Sequence, residues 1–305
     1  MIYVWLMKMG AAEQYIRKEI SGVYEADEAN SIASLCMEHI TGFTKADRLT
    51  KKEELLSDPQ QTILNTIITR LQQHEPIQYI MHKTWFYGLE LYVDNCVLIP
   101  RPETEELVDW IIKDVKASGK DVFDKKPTEA DKTTQLKILD VGTGSGCIAL
   151  ALKKAMPKAE VWASDVSEEA LTVARRNGSE LNIRVDFQGM NFLDENQQKL
   201  LPTVDIVVSN PPYIPIKGKD LIKANVLEHE PHLALFVPDN DALIFYKALA
   251  HFGKHRLYKN SSIYMEIHED LGKDVIELFR REGYTNVELR KDMQGKDRMV
   301  KIVNG

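Results

Sequence analysis

Hydrophobic residues in the first quarter of the chain recur every three or four positions, which is the period of an amphipathic helix. The pattern runs from Met9 to about Gln73 and is broken only by short polar segments. Asp58 and Pro59 suit the start of the last of these helices, because proline is tolerated in the first turn of a helix. The pattern therefore predicts a helical bundle, which we assign to a domain at residues 1–75.

The pattern changes to alternation after the bundle, in a segment that we assign to a linker at residues 76–100. Between residues 79 and 97, apolar and aromatic residues alternate around Gly88, which predicts a hairpin or a pair of short strands. The aromatic cluster at residues 85–87 is typical of core packing between domains, and shaping a substrate groove is the alternative.

Apolar runs alternate with helical stretches through the last domain, residues 101–305. This alternation predicts an α/β fold with a mostly parallel sheet and right-handed crossovers. A polar run at 116–135 interrupts it and is interpreted as an exposed connector. The predicted helices lie near 102–115, 146–155, 168–180, 241–252 and 270–282. The predicted strands lie near 136–141, 159–164, 183–188, 204–209 and 261–266, with two closing strands near 286–290 and 298–303.

Length and charge limit the possible functions. A chain of 305 residues with 44% hydrophobic content is long enough for two domains with cores of their own. The formal net charge is −7, and residues 1–75 carry eight Lys and Arg against eleven Asp and Glu. Because a phosphate backbone is bound through clustered positive charge, extensive binding to duplex nucleic acid is not expected.

The cysteines and the chain start bear on the compartment. Cys36, Cys96 and Cys147 are widely separated and lack Cys-x-x-Cys spacing, which indicates reduced thiols in the cytoplasm, small core residues and no zinc or other metal site. The first residues are apolar but carry no basic segment typical of a signal peptide. No stretch approaches the roughly 18 apolar residues that a membrane span requires. We expect a cytoplasmic protein that is not bound to membranes.

A glycine-rich turn follows the first strand of the predicted sheet. Glycine lets the backbone approach a ligand closely, because it tolerates positive φ and has no Cβ. The spacing differs from the Gly-x-Gly-x-x-Gly of dinucleotide folds, and it predicts a site for a nucleotide-like cofactor. The acid that opens the turn could accept hydrogen bonds or oppose a cationic amino acid. The turn has the sequence Asp140-Val141-Gly142-Thr143-Gly144-Ser145-Gly146.

A second acid lies about twenty residues beyond the glycines. Asp165 ends the strand predicted near 159–164. Carboxylates at this position of a parallel sheet usually bind ribose hydroxyls. Asp165 is therefore the predicted ribose ligand.

A third motif follows the strand predicted near 204–209. Its asparagine offers a donor and an acceptor, its first proline offers only a carbonyl, and its tyrosine offers a flat face. Such a turn can bind a planar NH2 group, whereas the simpler interpretation is that the prolines only end the strand. The motif is Asn210-Pro211-Pro212-Tyr213.

Together these motifs resemble a class I S-adenosylmethionine-dependent methyltransferase that acts on nitrogen. The run Leu-Ile-Pro-Arg-Pro-Glu-Thr-Glu at residues 98–105 closely resembles the segment before the first methyltransferase strand of release-factor glutamine methyltransferases. The resemblance covers about residues 75–303, and the helical region before it matches in type only. Further similar segments are 75–80, 85–89, 230–231 and 292–298.

The resemblance implies a Rossmann-like, seven-stranded fold and S-adenosylmethionine as cofactor. It implies that a substrate NH2 donates to Asn210 Oδ1 and to the Pro211 carbonyl, with Tyr213 packed on the amide plane beside Pro212. The cofactor residues that it implies are Asp140, Gly142, Thr143, Gly144, Ser145, Gly146, Asp165, Asn191 and Asn210.

The loop near residues 189–194 departs from the family pattern. Many relatives place an acid there to meet the adenine amino group, whereas this chain has Met190 and Asn191, with Asp194 further on. The adenine contacts are therefore left open.

The function implied is methylation of the glutamine N5 in the Gly-Gly-Gln motif of peptide chain release factors, by a monomer whose helical domain docks this partner. The alternatives are a ribosomal-protein glutamine methyltransferase, an adenine-N6 nucleic-acid methyltransferase and a non-enzymatic nucleotide-binding scaffold. Arg101 is a further candidate. Glu103 and Glu105 suit either helix capping or function, and His229 suits a solvated charged loop.

Overall fold

The computed structural model describes residues 7–120, 122–123 and 135–305. Its contacts divide the chain into two compact units, residues 1–82 with 223–229, and residues 83–222 with 230–305. The helices are α1 (Met9–Ile20), α2 (Ala26–Thr41), α3 (Lys45–Thr50), α4 (Asp58–Gln72), α5 (Ile77–Met81), α6 (Pro102–Ala117), α7 (Cys147–Ala155), α8 (Glu168–Glu180), α9 (Glu195–Gln198), α10 (Ala224–His229), α11 (Ile244–Arg256) and α12 (Gly272–Arg281). The strands are β1 (Thr84–Phe86), β2 (Leu89–Leu91), β3 (Lys137–Val141), β4 (Glu160–Asp165), β5 (Asp186–Gly189), β6 (Val204–Ser209), β7 (Ile214–Pro215), β8 (Phe236–Val237), β9 (Leu257–Glu266), β10 (Asn286–Lys291) and β11 (Asp297–Val303).

The first unit is the predicted helical bundle. Two of its helices begin with a capping box, in which Thr44 pairs with Asp47 and Ser57 pairs with Gln60. Each box satisfies free amide groups of the first helical turn. The apolar positions of α1, α2 and α4 recur every three or four residues and form one core. That core includes Ile16, Ile20, Ile32, Cys36, Met37, Leu64, Ile67, Ile68 and Leu71.

The second unit contains a seven-stranded sheet in the order β10-β11-β9-β6-β3-β4-β5. The five strands from β9 to β5 are parallel, and β11 and β10 close the sheet in antiparallel fashion. The mostly parallel α/β sheet expected from the alternation of strands and helices is confirmed.

Alternation along the strands places one apolar cluster on each face of the sheet. Ile138 of β3 and Val208 of β6 belong to the cluster that α6 and α7 cover. Leu139 of β3 and Val207 of β6 belong to the cluster that α11 and α12 cover. Successive residues of a strand point to opposite faces, so strands covered on both faces read as continuous apolar runs.

Several predicted boundaries were wrong by a few residues. Residues 79–81 are helical, and the hairpin around Gly88 is limited to β1 and β2. The strand predicted near 183–188 is β5, which begins only at Asp186. Residues 257–260 extend β9. Of the polar run 116–135, residues 121 and 124–134 lie outside the described residues.

The aromatic cluster is only partly a core element. Phe86 is buried in the core of the second unit, whereas Trp85 is 63% exposed with Lys83 Nζ 5.6 Å from its ring centroid. Tyr87 and Gly88 adopt positive φ and form the two-residue turn between β1 and β2. Such turns match the twist of the strands they join. The prediction of core packing was therefore wrong for Trp85.

The cysteines differ in burial. Cys36 is fully buried, whereas Cys96 and Cys147 are partly exposed, and all three are free thiols. In the described part of the chain, every helix is too short or too polar to cross a membrane.

Candidate active site

Four strand ends meet at one edge of the sheet. Val141 of β3 is in register with Ser164 of β4 and with Ser209 of β6, and Ser209 is in register with Met265 of β9. Because these strands are parallel, the residues that follow lie at the same edge, where α/β folds bind ligands. This edge brings together Gly142, Asp165, Asn210 and Glu266.

The glycine turn forms an open cradle. Gly142 and Gly144 have φ of +72° and +54°, and a Cβ built on either would meet nothing within 4 Å. Gly146 has φ of +82°, and its Cβ would lie 3.2 Å from side-chain carbons of Ala174 and Leu150. The first two glycines therefore face open space where a ligand fits. Gly146 instead allows the start of α7 to pack closely against Ala174 of α8.

Asp140 lies beneath this cradle. It is 0% exposed, and its Oδ2 accepts hydrogen bonds from Thr143 Oγ1 at 2.6 Å and from the Ala149 amide at 3.2 Å. Burial raises the pKa of Asp140 to about 7. Its Oδ1 is buried without a partner among the described residues. The observed bonds tie the loop to α7, and contact of Asp140 with a cofactor stays a prediction.

Asp165 joins the second strand end to the glycine turn. Its Oδ2 accepts a hydrogen bond from the Gly144 amide at 2.9 Å, and its Oδ1 accepts one from the Ser167 amide at 3.0 Å. Burial raises the pKa of this carboxyl. Each carboxylate oxygen can accept a second hydrogen bond, so the predicted binding of ribose hydroxyls is compatible with these contacts.

The Asn210 side chain is held by a buried hydroxyl. Asn210 Nδ2 donates to Thr104 Oγ1 at 3.1 Å, and Thr104 Oγ1 donates to Glu266 Oε2 at 2.7 Å. Among the described residues, no group donates to Asn210 Oδ1 or to the Pro211 carbonyl. This amide orientation leaves two acceptors in one turn, and two acceptors can receive the two protons of an NH2 group.

Tyr213 is half-buried beside the same carboxylate. Its hydroxyl lies 3.5 Å from Glu266 Oε1, and its ring centroid lies 5.7 Å from that of His268 in an edge-on contact. Burial, together with the charge of Glu266, raises the pKa of Tyr213, so this hydroxyl stays protonated. Tyr213 can therefore offer its ring face and donate a hydrogen bond.

Glu266 and Thr104 were missed as site residues. Both are 2% exposed. Glu266 ends a parallel strand, which is the signal that pointed to Asp165 and could have found it. Thr104 lies inside the Pro-Arg-Pro-Glu-Thr-Glu run but carries no signal that separates it from its neighbours.

Arg101 pairs with a second buried acid. Its Nη2 lies 2.5 Å from Glu230 Oε1, and Glu230 Oε2 accepts from the Ile99 amide at 3.4 Å. Glu230 is 4% exposed, and burial raises its pKa despite the nearby guanidinium. The pair fixes the segment before α6 against the segment after α10.

Glu103 and Glu105 each hold a hairpin. Glu105 Oε1 accepts from the Tyr87 amide at 2.8 Å, in the β1–β2 turn. Glu103 Oε1 accepts from Gln294 Nε2 at 3.3 Å, in the β10–β11 turn. Both acids also lie in the first turn of α6, where negative charge is favourable. These contacts give them a structural role.

The loop at 189–194 uses its polar groups internally. Met190 is buried, and the exposed Asn191 accepts from the Leu193 amide at 3.0 Å through Oδ1. Asp194 caps α9. Contact of Asn191 with adenine stays a prediction.

His229 is not part of a loop. It ends α10, and its Nε2 lies 2.9 Å from the Gln73 carbonyl within the first unit. The interpretation of a solvated loop was wrong at this residue. Among the described residues, no group of three or more His, Cys, Asp and Glu side chains could hold a metal ion.

Comparison with known proteins places this chain in a family. Residues 14–81 match the PrmC N-terminal domain, and residues 127–235 match the methyltransferase small domain. The release factor glutamine methyltransferase of Flavobacterium psychrophilum is 40% identical over 287 residues, which are 93% of this chain and 94% of that protein. This chain belongs to the release factor glutamine methyltransferase family.

The second relative supports the same membership of the release factor glutamine methyltransferase family. The Bacteroides thetaiotaomicron protein of that name is 39% identical over 292 residues, which are 96% of this chain and 99% of that protein.

The catalytic domain of hMettl16, solved with MAT2A 3'UTR hairpin 6, has a TM-score of 0.53 at 16% identity, over 83% of this chain and 85% of its own. That likeness is one of fold alone. The class I methyltransferase fold is confirmed, and family and fold imply use of S-adenosylmethionine.

Proposed function

We propose that this protein transfers the methyl group of S-adenosylmethionine to the side-chain amide nitrogen, N5, of the glutamine in the Gly-Gly-Gln motif of peptide chain release factors. Relatives at 39–40% identity over almost their whole length carry the name release factor glutamine methyltransferase. In this proposal, the helical unit at the start of the chain docks the release factor, and the enzyme acts as a monomer.

One observation carries the proposal: Asn210 points an acceptor, not a donor, away from Thr104. Thr104 Oγ1 accepts the hydrogen bond from Asn210 Nδ2, which leaves Asn210 Oδ1 and the carbonyl of the next residue, Pro211, as two acceptors. A glutamine NH2 has two protons and matches two acceptors. Tyr213 then supports the plane of the amide.

The residues at the glycine turn fit the cofactor. The open space over Gly142 and Gly144 accommodates a ligand against the backbone, and Asp165 lies at the end of the adjacent strand. We assign the methionine and ribose side to Gly142–Gly146 and Asp165, and the adenine side to the loop that contains Asn191. When bound, S-adenosylmethionine supplies a methyl group on a sulfonium.

The chemical task of the protein is positioning. An amide nitrogen is a poor nucleophile, because its lone pair is delocalised into the carbonyl. Binding both amide protons at Asn210 and Pro211 directs the remaining face of the nitrogen. Fixing reacting groups in line can contribute about 7 to 11 kcal/mol in favourable systems.

Methyl transfer from labelled S-adenosylmethionine tests the proposal. The purified protein is incubated with a release factor, with the same factor whose motif glutamine is replaced by alanine, with ribosomal protein and with unmethylated DNA. We expect label in the unaltered release factor alone. Label in DNA or ribosomal protein instead, or in the altered factor, would contradict the proposal.

A further inference from the structure

A buried carboxyl group lies behind the proposed methyl-acceptor turn. Glu266 is 2% exposed and ends β9 at the edge where the glycine turn and Asn210 also lie. Burying an ionisable group costs free energy unless partners compensate. A glutamic acid at this position therefore needs an explanation that the contacts of Asn210 and Pro211 with substrate do not supply.

Hydrogen-bond direction is transmitted from this carboxyl to the asparagine. An ionised carboxylate can only accept, so Thr104 must direct its single proton to Glu266 Oε2, 2.7 Å away. The Thr104 oxygen is then left with lone pairs only, and it accepts from Asn210 Nδ2 at 3.1 Å. The carboxylate thereby decides which end of the Asn210 amide faces Thr104.

We propose that Glu266, acting through the hydroxyl of Thr104, is a positioning residue that holds Asn210 Oδ1 toward the substrate amide. This inference rests on the proposed function and extends it. Neither residue touches the reacting atoms, and their effect is on the orientation of the residue that binds them.

The protonation state of Glu266 controls this arrangement. A protonated carboxyl can donate to Thr104, which frees the threonine proton for Asn210 Oδ1 and allows the amide to turn over. Burial raises the pKa of Glu266 to about 7. The carboxylate therefore fixes this orientation above about pH 7, and the constraint is released as the pH falls through about 7. The titratable and polar groups that interact with Glu266 are Glu103 and Thr104 of α6, Cys147 of α7, Tyr213, Tyr246, and Arg298 of β11.

Two substitutions at Thr104 separate the hydroxyl from the shape of the side chain. Thr104→Val removes the hydroxyl at nearly constant shape, and Thr104→Ser keeps it. We expect T104V to lower kcat on release factor about tenfold, the loss typical of one hydrogen bond, and T104S to stay within about twofold of wild type. The Kd of S-adenosylhomocysteine should stay within about twofold in both. Wild-type turnover in T104V, or equal losses in both variants, would overturn the inference.

The carboxyl is tested by its pH profile. In the wild-type enzyme, kcat should rise with pH through about 7. Glu266→Gln should remove this limb, because the amide does not titrate and still accepts from Thr104. A variant E266Q that keeps the wild-type limb would overturn the inference.

A substrate-free measurement distinguishes failure of this inference from failure of the proposed function. In protein labelled with 15N-asparagine, the Asn210 side-chain amide signal is assigned by its loss in N210A. It should shift with pH near 7 in the wild type and not in T104V or E266Q. If it does so while release factor stays unmethylated, the proposed function fails and the positioning relationship stands. If it does not shift in an active enzyme, the inference fails and the function stands.

Discussion

Asn210 Nδ2 lies 3.1 Å from Thr104 Oγ1, although the two residues are 106 positions apart in the chain. The contact joins the turn after β6 to the first turn of α6. It sets the direction of the asparagine amide, and so the turn presents acceptors rather than donors to a substrate. In the proposed function, these acceptors bind a group with two N–H protons.

Replacing Asn210 should impair turnover much more than cofactor binding. Asn210→Ala removes one of the two acceptors that orient the amide, and loss of positioning can cost about a hundredfold in rate. We expect kcat on release factor to fall by about that factor, with the Kd of S-adenosylhomocysteine within about threefold of wild type. Asn196→Ala, at an exposed position, serves as the control. Equal losses of turnover and cofactor binding would show that Asn210 is only structural.

The open glycines of the cradle should be sensitive to a single methyl group. Gly144→Ala places a Cβ in the space assigned to the cofactor and also forces positive φ on alanine, which costs about 1 kcal/mol. Gly42→Ala is the matched control. Gly42 also has positive φ, +70°, and a Cβ built on it would meet nothing within 4 Å, but it lies at the end of α2, outside the glycine turn. Calorimetric titration should show weaker S-adenosylhomocysteine binding only in the first variant. Similar affinities in both would argue against a cofactor over Gly144.

Stability should depend on pH through Asp140. Its carboxyl titrates near 3.8 without burial and at about 7 in the fold, so the folded state holds the proton more tightly. The contribution to the free energy of unfolding is therefore largest at low pH and declines as the pH rises through about 7.

Asp140→Asn can keep both hydrogen bonds through its Oδ1 and does not titrate. The free energy of unfolding of D140N minus that of wild type should increase as the pH is raised from about 5 to about 8. The increase should be on the order of a few kcal/mol. Urea unfolding at both pH values measures this. Asp186→Asn, at an exposed strand position, should show no such gain, and parallel profiles of D140N and wild type would refute the role of burial.

The close approach of α11 to the sheet should tolerate no side chain at Gly253. An added Cβ would overlap the Tyr284 hydroxyl and lie 2.7 Å from Ile263 Cδ1. That hydroxyl donates to the Ala250 carbonyl at 2.8 Å, so it cannot move away without losing its partner. We expect Gly253→Ala to destabilise the protein by about 1 to 3 kcal/mol, as overpacking typically does.

The control for this substitution is Gly22→Ala. Gly22 has no atom within 4 Å of its Cβ position. The melting temperature of the Gly22→Ala variant should match that of the wild type, whereas the melting temperature of G253A should be lower. A melting temperature of G253A equal to wild type would mean that the helix can shift without cost.

The sequence by itself determined the main helices and strands, to within a few residues at their ends, and the motifs that follow the strands. Hydrophobic periodicity depends on neighbours within a few residues, so the helices of the bundle and the parallel strands could be predicted from it. The glycine turn, Asp165 and Asn210-Pro211-Pro212-Tyr213 each follow a strand directly. Their meeting at one edge follows from the parallel sheet.

Only the tertiary structure decided which distant groups pair behind these motifs. Thr104 meets Glu266 across 162 positions, Arg101 meets Glu230 across 129, and residues 223–229 group with the first unit of the chain. Such pairings depend on how helices and strands pack, and no local pattern records them. Burial, which raises the pKa of Glu266, is likewise a property of the folded chain, because it arises from all the elements that exclude water from that carboxyl.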